Sequence, residues 1–527
     1  MRLSADILRS RLLDHQATMP IEFQRHRRCP RCRWFATNAK ERAVQRRAML
    51  KGCAAAVVVP MAAACGANGR AKAQLVFDPD AFTTEKKTVA TFDRDKEVTY
   101  RRYAEIVYVA RPVDKAYQSL TISVPVEIDG AAVDASKAPI LLSNSVGGYL
   151  SSSVTNGEPD DGGDRRRNQD LALAAGYVVV DSGARGRDLV APDGVYYGVA
   201  PAAIVDLKAA VRYLRHNSGR VPGNTDRIVA TGVSAGGALS ALLAASGDSR
   251  MYHGYLNDLG AADAGDAVFA AAPYCPITDL EHADMAYEWN WGANPLRSGE
   301  LDAAASRELS TAFTGYQASL QLQGKNGFGP LTADNYGSYL VRTYLEPAAT
   351  AYLTALPDAD RSSYLADNTW ITWAGDRAEF TWPDFLTHVG ERKKGVPAFD
   401  AFDLSSGENN EFGGGTVKAR HFTLYSLRRA TGDPGVRLDS DLPEKISMMN
   451  PMFFLRQRNT ARAKHWWIRV GTKDTDTSLT IVGNLAASLE NLGEDVDAAM
   501  YWDAGHGSNE DAADFIEWIG KVTGYAG

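Results

Sequence analysis

The chain has 527 residues, a formal net charge of −7 and an ordinary hydrophobic content of 45%. Its length suits a large single domain with an insertion, or two to three domains. The negative charge and the dispersed basic residues beyond the first fifty give no reason to expect a nucleic-acid partner. Four of the five cysteines lie in the first 65 residues. The body of the chain therefore has one thiol, Cys275, and no internal disulfide.

The first 73 residues predict an N-terminal extension followed by a twin-arginine-type export signal. Arg46 and Arg47 precede an apolar stretch, residues 53–65, that is too short to span a bilayer. Cleavage after Ala73, at an A-x-A site, would release a soluble protein. Alternatively, the lipobox-like sequence ending at Cys65 would leave a lipid anchor there. Both outcomes predict an exported protein, periplasmic or secreted, without an integral membrane span in the mature chain.

Beyond the signal, apolar strands alternate with amphipathic helices, which predicts an α/β fold with a doubly wound, mostly parallel sheet. An antiparallel hairpin opens the body, and no internal repeat is visible. In chain order the predicted elements are strands over 98–109, 118–128 and 138–143, a helix over 171–175, a strand over 176–181, a helix over 201–217, a strand at 228–230 with the helix after it, strands over 267–272 and 465–470, a helix over 478–492, a strand over 495–501 and a helix over 512–522.

The interval 281–464 interrupts this alternation. It is rich in Tyr, Trp, Ala and Leu and indicates mostly helices and loops. We therefore predict a core in two parts, residues 74–280 and 465–527, with residues 281–464 inserted between them as a mainly helical lid domain.

The most informative stretch is Gly232-Val-Ser-Ala-Gly236, which lies between a short apolar strand and an Ala/Leu-rich helix. A G-x-S-x-G motif in a strand–turn–helix context is typical of the nucleophile elbow of α/β-hydrolases. The turn is tight, so a Cβ at either glycine would clash with its neighbours. This context predicts that Ser234 is a nucleophile and that the N–H of Ala235 is one oxyanion-hole donor.

An activated serine needs a base, and the base needs an orienting acid. Of nine histidines, only His506 follows the last plausible acid strand. Asp474 comes directly after the predicted strand 465–470, where such hydrolases keep their acid. Asp476, two residues on, is its competitor. The second oxyanion donor is assigned to the Gly147-Gly148 turn, with Gly148 preferred.

At this point the residues resemble the bacterial tannases, which are α/β-hydrolase-fold serine esterases that cleave galloyl esters to gallate. The resemblance covers roughly residues 95–525. It is most specific in four motifs: Tyr274-Cys-Pro-Ile277, Pro397-Ala-Phe-Asp400, Glu408-Asn-Asn-Glu411-Phe-Gly413 and Gly471-Thr-Lys-Asp474-Thr-Asp476-Thr. It implies the same triad of Ser234, Asp474 and His506.

The resemblance also implies how the acyl ring is bound. Lys394, Glu408 and Asp476 would face the three phenolic hydroxyls, and Ile277 would pack against one ring face. Lys393 is the alternative to Lys394. The family pattern has a proline before the glutamate, whereas this chain has Gly407.

We therefore predict an exported serine esterase for galloyl esters that needs no metal or organic cofactor. Esterases for feruloyl or protocatechuoyl groups are the nearest alternative. A peptidase of the same fold is a further alternative. An exported binding protein with a decayed hydrolase fold is the non-enzyme alternative.

Overall fold

The computed structural model describes residues 75–154 and 167–526. The predicted export signal, including Ala73 and Cys65, lies outside the described residues, which all fall in one compact unit. No helix in these two ranges is long and apolar enough to cross a membrane.

A ten-stranded sheet forms the centre of the molecule. Nine of its strands are, in chain order, β1 (Thr83–Ala90), β2 (Asp95–Val107), β3 (Ser119–Ile128), β4 (Pro139–Asn144), β5 (Val178–Ser182), β6 (Asn224–Val233), β7 (Ala270–Tyr274), β8 (His465–Gly471) and β9 (Asp495–Tyr501). Across the sheet they follow the order β1-β2-β3-β5-β4-β6-β7-β8-β9, and the two-residue strand Ala131–Ala132 pairs with β3.

The sheet is antiparallel at its β1–β2–β3 edge and parallel from β5 across to β9. Strands β4 and β7 are buried along their whole length. Parallel strands read as continuous apolar runs because helices cover both faces of the sheet. Their carboxyl ends meet at one edge, where the elbow emerges and where ligands bind in open α/β sheets.

Helices connect these strands and fill the inserted segment. Those of the core are Asn168–Ala174, Ala202–His216, Ala235–Ala245, His253–Leu259, Leu479–Asn491 and Ala512–Thr523. Those between β7 and β8 are Leu280–Trp291, Ala303–Leu320, Ala333–Leu340, Glu346–Ala355, Asp358–Asp367, Trp382–Val389, Gly407–Glu411, Leu424–Thr431, Leu442–Met448 and Pro451–Leu455, with a π-helical turn at Val341–Leu345.

The observed elements match the predicted α/β-hydrolase architecture with a helical insertion. Strand β7 begins at Ala270, three residues later than predicted, because its pairing with β6 starts at the Val229–Ala270 partners. The edge strand β1 was not predicted, since its sequence TTEKKTVA is largely polar and exposed. It is held by pairing with β2.

The inserted segment is bonded to the core next to the predicted acid. The Tyr287 hydroxyl donates to the Thr475 carbonyl at 2.7 Å, and the Trp291 indole N–H donates to the Thr477 carbonyl at 2.7 Å. Both aromatic side chains are fully buried. The first helix of the insertion is therefore fixed against the loop that follows β8.

Candidate active site

Ser234 has the strained backbone expected of a nucleophile elbow. Its φ of 59° and ψ of −121° lie in a region that L-residues rarely occupy. A Cβ added to Gly232 would lie 2.5 Å from the Gly236 carbonyl oxygen, and one added to Gly236 would lie 2.7 Å from Asn144 Oδ1. Only glycine fits at these two positions. The half-buried Ser234 therefore lies on a turn packed against the end of β4.

The predicted oxyanion turn follows β4 directly. Gly148 has a φ of +53°, in the left-handed region that favours glycine. The added Cβ of Gly236 would lie 2.8 Å from the Val146 carbonyl oxygen, so this turn lies beside the elbow. Ala235 is the first residue of its helix, where backbone N–H groups have no partner within the helix. The two predicted donors thus belong to segments that lie next to each other, the elbow and the turn after β4.

Asp474 and His506 are brought together as predicted from the sequence. His506 Nδ1 lies 2.8 Å from Asp474 Oδ2, and the Asp474 side chain is fully buried. The two loops are also joined by the backbone, since Lys473 N–H donates to the Ala504 carbonyl at 2.9 Å. Of the two candidate acids, Asp474 is therefore the one that contacts the histidine. The competitor Asp476 supports Asp474, because its backbone N–H donates to Asp474 Oδ1 at 2.9 Å.

Cys275 belongs to this site, although the sequence did not assign it a role. Its thiol sulfur, a carboxylate oxygen of Asp474 and a ring nitrogen of His506 lie within 4.8 Å of one another. Sulfur, nitrogen and oxygen ligands at this spacing are of the kind that Zn²⁺ accepts.

Burial lowers the pKa of His506, but hydrogen bonds to Asp474 and Cys275 outweigh the effect of burial and raise the pKa to about 10.

We expect the Cys275→Ala substitution to move the acidic limb of the pH–rate profile to lower pH. A histidine that accepts a proton from serine must start neutral, so the rate rises with pH through the pKa of His506. Because Cys275 raises that pKa, removing the thiol lowers it. The measurement is kcat/KM against pH for both proteins. An unchanged limb would show that the thiol does not act on His506, and a limb moved to higher pH would show that the thiol lowers the pKa of His506 instead of raising it.

The four predicted polar residues form two ion pairs. Lys393 Nζ contacts both Asp476 oxygens, at 2.8 and 3.0 Å. Lys394 Nζ lies 3.8 Å from Glu408 Oε1 and 3.8 Å from the centre of the Phe399 ring. The sequence offered Lys393 only as an alternative to Lys394, whereas the structure gives each lysine its own carboxylate.

Arg392 holds these two lysines in place, a role that nothing in the sequence indicates. The segment 391–394 also suits a solvated helix end, yet Arg392 is fully buried in an ion pair with the fully buried Glu288. Its Nε donates to the Lys394 carbonyl and its Nη2 to the Gly395 carbonyl, both at 2.9 Å. The guanidinium therefore fixes the backbone on which both lysines stand.

Replacing Arg392 by methionine should lower the free energy of unfolding by roughly 3–5 kcal/mol, because Glu288 is left buried without its partner. Urea denaturation measures the change. Arg297→Met is the matched control, since the Arg297 side chain is 69% exposed and lies 4.0 Å from Glu391. Exposed pairs of this kind contribute about 1 kcal/mol or less. Equal losses in the two variants would contradict the role given to Arg392.

Asp503 anchors the histidine loop to the insertion and was also missed. Its carboxylate lies 2.6 Å from His388 Nε2 and accepts from the Tyr364 hydroxyl at 2.6 Å. Burial opposes ionisation, but these partners and Lys473 hold the pKa of Asp503 at about 2. Two helices of the insertion thus position the loop that carries His506. Because these contacts join residues far apart in the chain, sequence spacing does not reveal them.

A cavity of about 560 Å³ opens beside the second ion pair, and Lys394, Glu408 and Gly407 line it together with apolar residues that include Pro397 and Phe402. Ile277 is buried beside the elbow, since its N–H lies 3.4 Å from the Ser234 carbonyl oxygen. Its own carbonyl accepts from the Tyr149 hydroxyl at 3.1 Å.

Comparison with known proteins identifies the family. The solved structure of the Fusobacterium nucleatum tannase is 36% identical and superposes with a TM-score of 0.74, covering 85% of this chain and 99% of that one. The tannin acyl hydrolase from Lactobacillus plantarum is 37% identical with a TM-score of 0.75, covering 85% and 99%.

The chain belongs to the tannase family.

Two further comparisons agree with an esterase. The BD-FAE family model matches residues 173–306. The esterase LipQ of Mycobacterium tuberculosis is 40% identical over 89 residues, which cover 17% of this chain and 20% of that protein. The chain therefore matches about a fifth of the length of that curated relative. Like the other members of the tannase family, the protein is a carboxylic ester hydrolase with the α/β-hydrolase fold.

One position departs from the tannase pattern, and the structure shows what takes its place. Where the pattern has a proline before the glutamate, this chain has Gly407. A Cβ added to Gly407 would lie 2.8 Å from Arg187 Nη2. The guanidinium of Arg187 therefore lies against the open side of this glycine.

Proposed function

We propose that the protein is a serine esterase that hydrolyses galloyl esters to gallate and an alcohol through an acyl-enzyme on Ser234. The observation that carries the proposal is the pair of hydrogen bonds to Asp474. One carboxylate oxygen contacts His506 at 2.8 Å, and the other accepts the N–H of Asp476 at 2.9 Å. The acid of the proposed triad and a proposed acceptor for a ring hydroxyl thus belong to one rigid loop.

In the proposed reaction Ser234 Oγ attacks the ester carbonyl while His506 Nε2 takes its proton. Asp474 holds Nδ1 of the ring and stabilises the imidazolium. The N–H groups of Ala235 and Gly148 receive the negative charge that develops on the carbonyl oxygen. His506 then returns the proton to the departing alcohol. Water then gives a proton to the same histidine as its oxygen bonds to the acyl carbon. The histidine returns this proton to Ser234 Oγ as gallate leaves, which restores the free enzyme.

The acyl group is proposed from the charges around the site. Vicinal phenols donate hydrogen bonds and are weak acids, so carboxylates accept charge-assisted bonds from them. Glu408 and Asp476 supply the carboxylates, and the ammonium groups of Lys394 and Lys393 lie next to them. The Lys394 and Glu408 side chains are only 18% and 13% exposed. Related solved structures contain ethyl gallate and 3,4-dihydroxybenzoate, which supports an aromatic ester substrate.

The experiment is a substrate panel of methyl gallate, methyl protocatechuate and methyl ferulate, with kcat/KM measured for each. We expect methyl gallate to be the best substrate, because each hydroxyl that is removed takes away a charge-assisted hydrogen bond to the site. A preference for methyl ferulate, or no turnover of methyl gallate, would refute the galloyl assignment.

A protocatechuoyl esterase is the second candidate. It is favoured by one observation, that a relative 38% identical was solved with 3,4-dihydroxybenzoate bound. Equal kcat/KM values for methyl gallate and methyl protocatechuate would support this alternative, since the third hydroxyl would then contribute nothing.

We also propose that the protein is exported. The proposal rests on the twin-arginine-type sequence ahead of residue 74. When the chain is expressed with residues 1–73 in place, the mature protein should begin near Gln74 or at a lipidated Cys65. Mass spectrometry of the purified N-terminus distinguishes these outcomes. An unprocessed chain that remains in the cytoplasm would contradict export.

A further inference from the structure

Arg187 is tied to the turn that carries the proposed oxyanion donor. Its Nε donates to the Gly148 carbonyl at 2.6 Å, and its backbone N–H donates to the Tyr149 carbonyl at 2.9 Å. The next residue strengthens the link, since the Asp188 carboxylate accepts from the Ser151 N–H at 2.6 Å. The guanidinium therefore has a fixed place beside Gly148.

The other side of the same guanidinium lies against Gly407. A Cβ added there would lie 2.8 Å from Nη2, 3.0 Å from Cζ and 3.2 Å from Nε of Arg187. Three atoms of the planar group at nearly equal distances indicate that its face, and not its edge, packs over the glycine. Any side chain at position 407 would push this face away.

Arg187 thus joins two parts of the site that are far apart in the sequence. Gly407 and Glu408 line the same cavity as Lys394, whereas Gly148 belongs to the proposed oxyanion turn. The half-buried guanidinium thus lies between the proposed oxyanion turn and a residue that lines this cavity.

The carboxyl group of Glu411 makes no hydrogen bond to Arg187. Glu411 is fully buried, and neither of its oxygens has a hydrogen-bond partner among the described residues. Burial holds the pKa of Glu411 well above its usual range, although the Arg187 cation opposes the rise. Because neither Glu411 oxygen accepts a hydrogen bond from the guanidinium, this carboxyl group does not occupy the donors of Arg187.

We propose that Arg187 is a substrate-contacting residue that determines acyl specificity, with the face of its guanidinium opposite Gly407 stacked on the aromatic ring of the acyl group. This inference rests on the proposed function. Guanidinium groups stack on aromatic faces and are attracted by the ring quadrupole. The absence of a side chain at Gly407 provides the room in which the guanidinium lies.

The test compares an aromatic acyl group with an acetyl group, which has no ring. Arg187→Met keeps the length of the side chain but removes its charge and its planar face. We expect KM for methyl gallate to rise roughly 3- to 30-fold. Loss of the hydrogen bond to the Gly148 carbonyl affects both esters, whereas loss of the ring contact affects only methyl gallate. The kcat/KM value for p-nitrophenyl acetate should therefore fall less than that for methyl gallate.

Gly407→Ala tests the same contact from the other side. Its methyl group must displace the guanidinium, so KM for methyl gallate should rise as it does in Arg187→Met. The double variant should lose no more than either single variant, because both changes remove one contact. Thermal unfolding of each variant verifies that the fold is retained.

Three results would overturn the inference. An equal loss with both esters would mean that Arg187 acts only through the Gly148 carbonyl. Unchanged kinetics of Arg187→Met with both esters would mean that Arg187 has no role. Additive losses in the double variant would mean that Arg187 and Gly407 act separately. A wild-type protein that hydrolyses p-nitrophenyl acetate but not methyl gallate would instead refute the proposed function itself.

Discussion

Replacing Ser234 by alanine is expected to reduce kcat/KM for methyl gallate by roughly 10⁴- to 10⁶-fold. The hydroxyl is the proposed nucleophile, and no other serine or threonine hydroxyl lies on the strained turn at residues 232–236. The fold should be retained, because the Ser234 side chain makes no capping hydrogen bond to its helix. The measurements are gallate release followed by chromatography and thermal unfolding of both proteins.

A fluorophosphonate probe gives an independent readout of the same prediction. It should label wild-type protein at Ser234 and leave Ser234→Ala unlabelled. Ser362→Ala is the matched control, because Ser362 is a surface residue of a helix in the insertion, and it should behave as wild type. Full turnover by Ser234→Ala would exclude the serine mechanism.

The second large effect is expected at the two carboxylates that are proposed to accept the ring hydroxyls. Glu408→Gln and Asp476→Asn should each lower kcat/KM for methyl gallate by roughly 10- to 150-fold, since a hydrogen bond to a charged group contributes about 1.5–3 kcal/mol. Methyl benzoate has no hydroxyls, so its slow hydrolysis should change little. The ratio of the two kcat/KM values is the quantity to measure.

The lysines provide matched controls for this prediction. Lys394 is largely buried against Glu408, whereas the Lys393 side chain is 55% exposed. Lys394→Met should therefore lower kcat/KM for methyl gallate more than Lys393→Met. If both carboxylate variants lost activity equally on methyl gallate and methyl benzoate, the residues would support the fold and not the ring.

The sequence predicted those parts of the site that depend on local backbone geometry. The elbow at Ser234 and the Gly147-Gly148 turn are such parts, because the steric demands of a tight turn select glycine. The relation of Asp474 to His506 followed from the order of strands, since loops after parallel strands meet at one sheet edge. The structure brings these two side chains to 2.8 Å.

Contacts between distant segments could not be predicted. Arg392 stands among Glu391, Lys393 and Lys394, and nothing in that run of charges distinguishes the one fully buried side chain from the other three. Its burial depends on Glu288, about a hundred residues earlier in the chain. The same reason applies to Arg187, whose position becomes meaningful only when Gly148 and Gly407 lie on either side of it.

The most direct test of the central claim is the partition of the galloyl group between water and added ethanol. Methyl gallate and propyl gallate should form the same galloyl-enzyme on Ser234. The ratio of gallate to ethyl gallate must then be the same for the two substrates. A ratio that depends on the departing alcohol, or the absence of gallate from both reactions, would contradict a galloyl esterase that acts through an acyl-enzyme.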